Sequence, residues 1–313
     1  MKKIIILEGG YNEEHEISLN TSKAIQRSLQ KMNLIYDVIL VDPEKIINQL
    51  NSFQDNKLII FNALHGPFGE DGKIQKILEE KNIVFTHSGS STSSIAFDKG
   101  LTKLTIKGRG IPFLESKLIN KSNLNKDNLE NFFKEFNSFV IKPISSGSSY
   151  GVKMFFSFDD IKNFQLNYKK EIKVYKNHEK LMVEKFVKGR ELTVGVFENK
   201  QKLEALAVTE IISKNPFYDY DAKYVQGMSK HILPADLPKK IYDKCLDYAR
   251  IVHEKLECRG ISRSDFIYDG KNIFFLEINT QPGLTETSLI PEQLKFREIN
   301  FDIFVREIIE NSL

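Results

Sequence analysis

Two oxygen-bearing side chains stand two positions apart in the stretch FFLEINTQPGLTETS, residues 274–288. The first half of this stretch has the pattern of an apolar strand, and residues i and i+2 of a strand project to the same side. The carboxylate of Glu277 and the amide of Asn279 would therefore converge beside the sheet. A buried carboxylate is costly without a partner, and a hard divalent cation would satisfy both groups.

A second strand-like stretch, ISRSDFIYDG, carries Arg263 and Asp265 at the same spacing. The Asp269-Gly270 turn between the two stretches predicts a β-hairpin. The hairpin would bring Asp265 beside Glu277 and Asn279, and an oxygen-only cluster suits Mg²⁺ carried by nucleotide phosphates better than zinc. The alternative is a hairpin whose carboxylates lie on its rim and bind no metal.

A loop rich in serine and glycine, ISSGSSYGV at residues 144–152, follows another predicted strand. Its small side chains leave backbone N–H groups and hydroxyls accessible, as in the glycine-rich loops that fold over nucleotide phosphates. The loop is not a Walker A sequence, because no Gly-Lys-Ser/Thr follows, and the G-x-G-x-x-G pattern is absent as well. By itself the loop is a weak signal, and a solvated turn is the commoner interpretation.

The front of the chain alternates strands and helices. The predicted strands are Lys3 to Leu7, Tyr36 to Val41 and Leu58 to Ala63, and the predicted helices are 18–31, 43–50 and 72–80. This order predicts a parallel sheet with crossover helices, whose ligands would bind at the loops 9–16 and 65–72. The serine-rich run 88–94 predicts a domain boundary or a flexible connection.

The remaining chain predicts two further units, a small α/β unit and then an antiparallel sheet from Leu181 onward. The fold class is therefore α/β, with α+β character in the C-terminal part, and the predicted domains are 1–95, 96–180 and 181–313. The stretch SKNPFYDYDAKYVQG, residues 213–227, is too long and polar for a strand, so it predicts a lid loop. An aromatic surface loop is the alternative.

The composition and charge of the chain exclude several classes of protein. The 313 residues include 45 Lys and Arg and 42 Asp and Glu, a net charge of +3 without long runs of one sign, so we expect no nucleic-acid partner. The two cysteines, Cys245 and Cys258, give neither a disulfide framework nor a zinc spacing. The apolar run Ile4 to Leu7 is too short for a signal-peptide core or a membrane span. We expect a cytoplasmic protein that acts on small molecules.

Eight sequence blocks, taken together, resemble the D-alanine:D-alanine ligase family of the ATP-grasp superfamily. The blocks are GG with EEHEIS, ALHGPFGEDG, FDK, IKPISSGSSYGV, VEKFVKGRE, FYDYDAKY, SRSDF and LEINTQPGLTETSL. The resemblance covers essentially the whole chain. It implies an ATP-grasp fold with an N-terminal Rossmann-like domain, homodimerisation through that domain, and a role in peptidoglycan precursor synthesis.

The resemblance implies a nucleotide site as well. Lys99 and Lys142 would neutralise phosphate charge, although a surface position is the default interpretation of any lysine. Glu184 would accept from the adenine amine, backbone groups of residues 184–187 would follow the ring edge, and Glu191 would hold the ribose. The predicted ATP-binding residues are Lys99, Lys142, Ser148, Ser149, Glu184, Lys185, Phe186, Val187, Glu191 and Lys223.

The chemistry implied by the resemblance has two steps. Asp265, Glu277 and Asn279 match ligands of two Mg²⁺ ions, or Mn²⁺, that offset phosphate charge. ATP phosphorylates the carboxylate of one D-alanine, and the amine of a second D-alanine attacks the acyl phosphate. Arg263 and the Gly283 N–H would hold the oxyanion of the tetrahedral intermediate.

The same resemblance assigns the two amino-acid subsites. Glu16 would hold the ammonium of the first D-alanine, with His65 close to that subsite, although a lone loop histidine is usually only a packed residue. Ser288, with Leu289 beside it, would receive the carboxylate of the second D-alanine.

The predicted lid would close over these subsites. Ser148 and Tyr224 would join Glu16 in a hydrogen-bonded network, and Lys223 would reach the phosphates, so that water is kept from the acyl phosphate. Tyr224 favours an amide product, because relatives that make a D-lactate ester have a different lid sequence. A D-alanine:D-lactate ligase and a nucleotide-binding module without turnover stay as alternatives.

Three positions depart from the family pattern. Tyr150 replaces a small aliphatic residue in the serine-glycine loop, and His15 stands where arginine is frequent. Ser264 replaces an isoleucine or valine, but it would face away from Arg263 and Asp265. The departure at Ser264 therefore concerns packing behind the sheet rather than the chemistry.

Overall fold

A computed structural model of the chain describes residues 3–51, 58–147, 149–199, 202–214 and 228–312. The sheets in these residues comprise an N-terminal parallel sheet, a central antiparallel sheet and a C-terminal antiparallel sheet. Among the described residues, no helix combines the length and apolar character needed to cross a membrane.

The N-terminal sheet is parallel throughout, in the order β2-β1-β3-β4, as predicted. Its central strands are buried on both faces, which is typical of parallel strands covered by helices on each side. Its elements are β1 (Lys3–Gly9), α1 (His15–Lys31), β2 (Tyr36–Val41), α2 (Ile46–Asn51), β3 (Leu58–Asn62), α3 (Lys73–Glu80) and β4 (Val84–Phe85).

Two helices, α4 (Ser90–Phe97) and α5 (Lys99–Thr105), connect this sheet to the central one. For the run 88–94 the sequence predicts a boundary or a flexible connection, and a flexible connection is wrong from Ser90 onward, because the serines there begin a helix. Glu79 accepts from the Ser90 N–H at 2.8 Å, which satisfies one donor at the helix start, and Ser93 is buried.

The central sheet is antiparallel, in the order β5-β8-β6-β7. The strand β8 pairs with both β5 and β6, so residues just beyond the predicted boundary at 180 complete this sheet. Its elements are β5 (Ser116–Asn120), α6 (Lys126–Phe136), β6 (Phe139–Pro143), β7 (Lys153–Phe155), α7 (Phe158–Leu166), α8 (Tyr168–Glu171) and β8 (Lys180–Lys185), with 3₁₀ turns at Lys121–Asn123 and Ile172–Tyr175.

The C-terminal sheet is antiparallel, in the order β11-β10-β9-β12-β13. One of its faces packs on the helix that precedes β12, around Val196, Ala249 and Phe275. Its elements are β9 (Arg190–Asn199), β10 (Lys202–Ser213), β11 (Ser229–Ile232), α9 (Lys239–Lys255), β12 (Ile261–Tyr268), β13 (Ile273–Asn279), α10 (Leu289–Phe296) and α11 (Phe301–Glu310).

The predicted hairpin is confirmed. Strands β12 and β13 are antiparallel neighbours, with Asp265 opposite Glu277 and Arg263 opposite Asn279. Ser264 and Phe266 are fully buried on the other face, so the alternation of β12 turns Arg263 and Asp265 away from the core.

A single apolar core joins the two ends of the chain. It contains Ile4 and Ile6 of β1 together with Phe304 and Ile308 of α11, and residues of β9 and β10 complete it. The N-terminal sheet and the C-terminal sheet are thereby held against each other, and the loops of both sheets face a common region.

Candidate active site

Two cavities lie side by side in that region. The larger one, the sheet cavity, has a volume of about 650 Å³ and is lined by strands of the central and C-terminal sheets. The smaller one, the loop cavity, has a volume of about 80 Å³ and is lined by loops of the N-terminal sheet and by the segment after β13. Four residues line both cavities and form their common wall: Lys99, Ser146, Gly147 and Glu277.

The sheet cavity has apolar walls on opposite sides. Val140 and Met154 come from the central sheet, whereas Leu192, Ile211 and Leu276 come from the C-terminal sheet. A slot between two apolar surfaces, with a few polar groups along its edge, is the usual form of a site for a flat organic ring.

Residues 184–187 close one edge of the sheet cavity between β8 and β9. The Lys185 N–H donates to Glu115 O at 2.8 Å and the Phe186 N–H to Ser138 O at 2.9 Å, so this segment is fixed to the central sheet. Glu191 lines the same cavity from β9, where it lies between Ile211 and Ile267 of the neighbouring strands.

Glu184 is 3% exposed and contacts two lysines. Lys142 Nζ lies 2.5 Å from Glu184 Oε2, and Lys103 Nζ donates to Glu184 Oε1. Burial acts to raise the pKa of Glu184, but the charges of Lys142 and Lys103 outweigh burial and the pKa is lowered. The carboxylate is therefore ionised at neutral pH.

The serine-glycine loop turns sharply beside the sheet cavity. Ser149 and Gly151 have positive φ angles of 58° and 72°, and the Tyr150 N–H donates to Gly147 O at 3.0 Å. Ser149 and Tyr150 both line the cavity. The departure at Tyr150 thus puts an aromatic ring at the cavity's edge.

The common wall is anchored by Lys99, the first residue of α5. Lys99 Nζ donates to Ser146 O at 2.9 Å and forms an ion pair with Glu277 Oε2 at 3.1 Å. The Asp98 side chain caps α5 by accepting from two backbone N–H groups. This cap fixes the helix start, and with it the position of the Lys99 ammonium between the two cavities.

Each of the two hairpin carboxylates forms an ion pair with a basic side chain, Glu277 with Lys99 and Asp265 with Arg263. Arg263 donates to both oxygens of Asp265, at 3.0 and 2.9 Å, and Thr193 Oγ1 lies 2.6 Å from Asp265 Oδ1. Asn279 Oδ1 accepts from the Gln281 N–H at 2.6 Å. Within the described residues no group of three or more His, Cys, Asp or Glu forms a metal cluster. The donor set here is two carboxylates and one amide, which fits a hard divalent cation.

The loop cavity corrects the prediction for Glu16. Glu14 is 8% exposed and lines the cavity, whereas Glu16 is exposed on the first turn of α1. Helix α1 begins at His15, so Glu14 precedes the helix and turns inward, while Glu16 is carried round to the solvent side. An added Cβ at Gly147 would lie 3.3 Å from Glu14 Oε2, so Glu14 reaches the serine-glycine loop.

His65 is buried at the centre of the loop cavity's polar network. Its Nδ1 lies 3.1 Å from Gln281 O and 3.3 Å from Glu70 Oε1, and its Nε2 lies 2.9 Å from Thr21 Oγ1. A carbonyl oxygen only accepts, so Nδ1 carries the proton, and in the neutral ring Nε2 accepts from Thr21. His65 thereby links α1, β3 and the segment after β13.

The segment after β13 supplies the remaining predicted groups of the loop cavity. Gly283, Ser288 and Leu289 line it together with Arg263. Ser288 is the N-cap residue of α10, and its Oγ accepts from the Thr285 N–H at 3.2 Å. An added Cβ at Gly283 would lie 3.0 Å from Ser288 Oγ, so the absence of a side chain at Gly283 keeps this turn closed.

Three predicted site residues, Ser148, Lys223 and Tyr224, lie outside the described residues, as does most of the predicted lid. The structure brings the other predicted residues, except Glu16, to one of the two cavities. Sequence reasoning missed Glu14, Glu70, Lys103 and Gln281. Lys103 alone had a local signal, because it lies four residues after Lys99 on one helix face.

Two sheets around a nucleotide-sized cavity, next to a parallel-sheet domain, define the ATP-grasp class of enzymes. A family model described as "D-ala D-ala ligase C-terminus" matches residues 105–310. A D-alanine–D-alanine ligase of Zymomonas mobilis is 40% identical, over 100% of this chain and 94% of that protein. The chain therefore belongs to the D-alanine–D-alanine ligase family.

Solved structures are similar over the same extent. The D-alanyl-alanine synthetase A of Vibrio cholerae has a TM-score of 0.85 at 26% identity, and the match covers 99% of this chain and 98% of that one. A D-alanine–D-alanine ligase of Bacillus anthracis complexed with ATP has a TM-score of 0.80 at 26% identity, with coverage of 99% and 96%.

Proposed function

We propose that this protein uses ATP to join two D-alanine molecules into D-alanyl-D-alanine, a step of peptidoglycan precursor synthesis. The observation that carries the proposal is the common wall of the two cavities, Lys99, Ser146, Gly147 and Glu277. A phosphoryl donor in the sheet cavity and a carboxylate in the loop cavity would meet at this wall. Family membership supplies the identity of the two substrates.

ATP would occupy the sheet cavity. Its adenine would lie between Val140 and Leu276, with its amine donating to Glu184 and to the Lys185 carbonyl. The N–H groups of Lys185 and Phe186 are used by the central sheet, so the Val187 N–H would meet the ring edge. Glu191 would hold the ribose hydroxyls.

The phosphates would extend from the ribose toward the common wall. Lys99 and Lys142 would bind them as point charges, with Ser149 and the neighbouring backbone N–H groups folding over them. Ser148 and Lys223 belong to this part of the proposal by resemblance alone.

Asp265, Glu277 and Asn279 would hold Mg²⁺, in two ions, with Mn²⁺ as a substitute. Bound there, the metal would offset the charge of the terminal phosphates as the γ-phosphoryl group moves. Lys99 and Arg263 neutralise the two carboxylates in the structure described here. These ion pairs and the β12–β13 register hold the two carboxylates side by side.

The first D-alanine would bind in the loop cavity with its ammonium at Glu14 and its carboxylate toward the common wall. Transfer of the γ-phosphoryl to a carboxylate oxygen releases ADP and gives an acyl phosphate. His65, with Glu70 behind it, would shape the wall around the methyl group and the ammonium.

The second D-alanine would place its carboxylate at Ser288 and Leu289. These residues begin α10, and the N-terminus of a helix favours an anion. Its neutral amine would attack the acyl carbon, the amide bond would form, and phosphate would leave. Arg263 and the Gly283 N–H would stabilise the oxyanion of this step. Tyr224 would close the lid and exclude water.

The test is a coupled assay that measures phosphate release and identifies the product by mass. Release that requires ATP, D-alanine and Mg²⁺ together, with one D-alanyl-D-alanine formed per phosphate, supports the proposal. A chelator should abolish release, and added Mg²⁺ should restore it. ATP binding without D-alanine-dependent release would instead support a nucleotide-binding module.

The same assay decides the second substrate. With D-lactate added to D-alanine, a D-alanyl-D-lactate ester as the main product would contradict the assignment of the dipeptide. A homodimer and a cytoplasmic location are also part of the proposal, and sedimentation of the purified chain and fractionation of the source cells test them.

A further inference from the structure

Lys103 contacts Glu184 from a different direction than Lys142. Lys142 lines the sheet cavity, whereas Lys103 reaches the other carboxylate oxygen from α5. Lys103 Nζ also lies 3.2 Å from Ser116 Oγ of β5 and 3.7 Å from Met182 Sδ of β8. Lys103 is therefore held by the central sheet behind the carboxylate.

All three charged side chains are largely buried. The side chains of Glu184, Lys103 and Lys142 are 4%, 11% and 12% exposed. Burial lowers the pKa of Lys103, and the Glu184 charge opposes this shift. Two ammonium groups on one carboxylate leave an excess of one positive charge beside the cavity, and this charge attracts an anion.

A nucleotide would change this balance. Its phosphates would attract Lys142, which lines the cavity, and each step of Lys142 toward phosphate would weaken its ion pair with Glu184. A buried carboxylate without a counter-charge is costly. If only one lysine were present, the phosphates and Glu184 would compete for its ammonium group. The second lysine removes this conflict.

We propose that Lys103 is a positioning residue that holds Glu184 ionised and in place while Lys142 turns to the nucleotide phosphates. The inference rests on the proposed function, because it takes ATP as the ligand of the sheet cavity. A fixed carboxylate accepts from the exocyclic amine of adenine and repels the 6-oxo group of hypoxanthine. Lys103 thereby sets the preference for ATP over ITP, although Glu184 and not Lys103 would touch the base.

The test is a comparison of four forms of the full chain: wild type, Lys103→Met, Lys103→Arg and Lys107→Met. Lys107 is exposed just after α5, so its variant removes the same charge from the same region. Binding of ATP and of ITP is measured by calorimetry, and the KM of each amino-acid site is measured at saturating ATP.

We expect Lys103→Met to weaken ATP binding by about 10- to 100-fold, the range for loss of a charged hydrogen-bond partner. The ratio of ATP to ITP affinity should fall by about tenfold, and the KM for D-alanine should stay within about twofold. Lys103→Arg should restore part of the ratio because it keeps the charge. Lys107→Met should resemble wild type.

Each outcome decides between the proposals. A wild-type chain that binds no ATP overturns the proposed function. A wild type that binds ATP, together with a Lys103→Met chain whose ATP-to-ITP ratio equals that of Lys107→Met, overturns the role of Lys103 alone. If Lys103→Met does not fold, Lys103→Gln gives the same comparison. If neither variant folds, Lys103 serves the fold rather than base selectivity, and the inference is wrong.

Discussion

The sheet cavity and the loop cavity are built from different kinds of chain segment. Val140, Leu192 and Leu276 of the sheet cavity lie on strands, where the alternation of the strand fixes which side chains face inward. Glu14, His65 and Gly283 of the loop cavity come from segments that no strand or helix constrains. The two sites therefore depend on different interactions for their shape.

The loop cavity depends on polar contacts between domains. His65, just after β3, donates to Gln281 O, and the Gln281 side chain donates to the backbone O of Asn62 and accepts from the Asn62 side-chain amide. The sheet cavity depends on apolar packing within each sheet. Changes to the loop cavity should therefore impair D-alanine chemistry while ATP binding persists, which is the separation that the following predictions test.

The largest effect is expected for Arg263→Met. Loss of one oxyanion donor typically lowers kcat by ~10²–10³. The guanidinium lines the loop cavity but also bonds Asp265 of the sheet cavity, so we expect ATP affinity to fall much less than turnover. Turnover and ATP binding are measured on the same preparation, with the exposed Arg250→Met as the charge control. Equal loss of turnover and ATP affinity would mean that the two cavities are not separable.

Glu14→Gln should have the next largest effect. Replacing a charged acceptor in a buried site costs about 1.5–3 kcal/mol, so the KM for the first D-alanine should rise by about 10- to 100-fold. Glu16→Gln removes the same charge two residues away, on the exposed side of α1. Initial rates over a range of D-alanine concentrations measure both. A larger effect of the Glu16 variant would restore the assignment made from the sequence.

Gln281→Ala should loosen the contact between the domains. Gln281 and Asn62 are 3% and 1% exposed, and loss of a buried partner costs about 1–3 kcal/mol in the free energy of unfolding. Urea unfolding measures this cost. A double-mutant cycle with Asn62→Ala isolates the bond between the two side-chain amides, because the Asn62 carbonyl that accepts from Gln281 remains in that variant. A coupling energy near zero would show that this side-chain bond does not stabilise the interface.

The last prediction concerns the pH dependence of stability at the buried His87. Burial, with the nearby charges of Arg259 and His65, lowers the pKa of His87 to about 3. Between pH 6.5 and pH 3 the unfolded chain binds a proton that the folded chain excludes, so stability falls as the pH falls. The His87→Asn variant has no side chain that binds a proton in this pH range. Asparagine also tolerates the positive φ of 71° at this position.

We expect the loss of unfolding free energy between pH 7 and pH 5 to be about 2 kcal/mol smaller in His87→Asn than in wild type. Urea unfolding at the two pH values gives the comparison. The buried His253, whose pKa is lowered to about 4 by burial, contributes to both chains equally and so cancels. An unchanged pH dependence would contradict a neutral buried His87.

The hairpin shows what the sequence could predict. The two-residue spacings in β12 and β13 and the Asp269-Gly270 turn were enough to predict that Asp265 lies beside Glu277, because hairpin pairing is local. The family blocks likewise indicated the ATP-grasp fold. These features depend on contacts between residues that are close in sequence, or on a resemblance that spans the whole chain.

Glu14 and Lys103 show what could not be predicted. In EEHE the inward carboxylate depends on where α1 begins, and helix starts are uncertain by a few residues. Lys103 bonds the Glu184 carboxylate, which lies 81 residues later in the sequence. The four-residue spacing from Lys99 places Lys103 on the same helix face, but it carries no information about a partner this far along the chain, so only the folded structure reveals the contact with Glu184.

The core shared by β1 and α11 has a consequence for synthesis of the chain. Ile4 and Ile6 leave the ribosome about 300 residues before Phe304 and Ile308, their neighbours in the same core. At ~5–20 residues per second, about 15 to 60 s pass before that core can close. A nascent chain exposes part of an apolar sheet during this interval. Chaperones can therefore bind the exposed sheet for about 15 to 60 s.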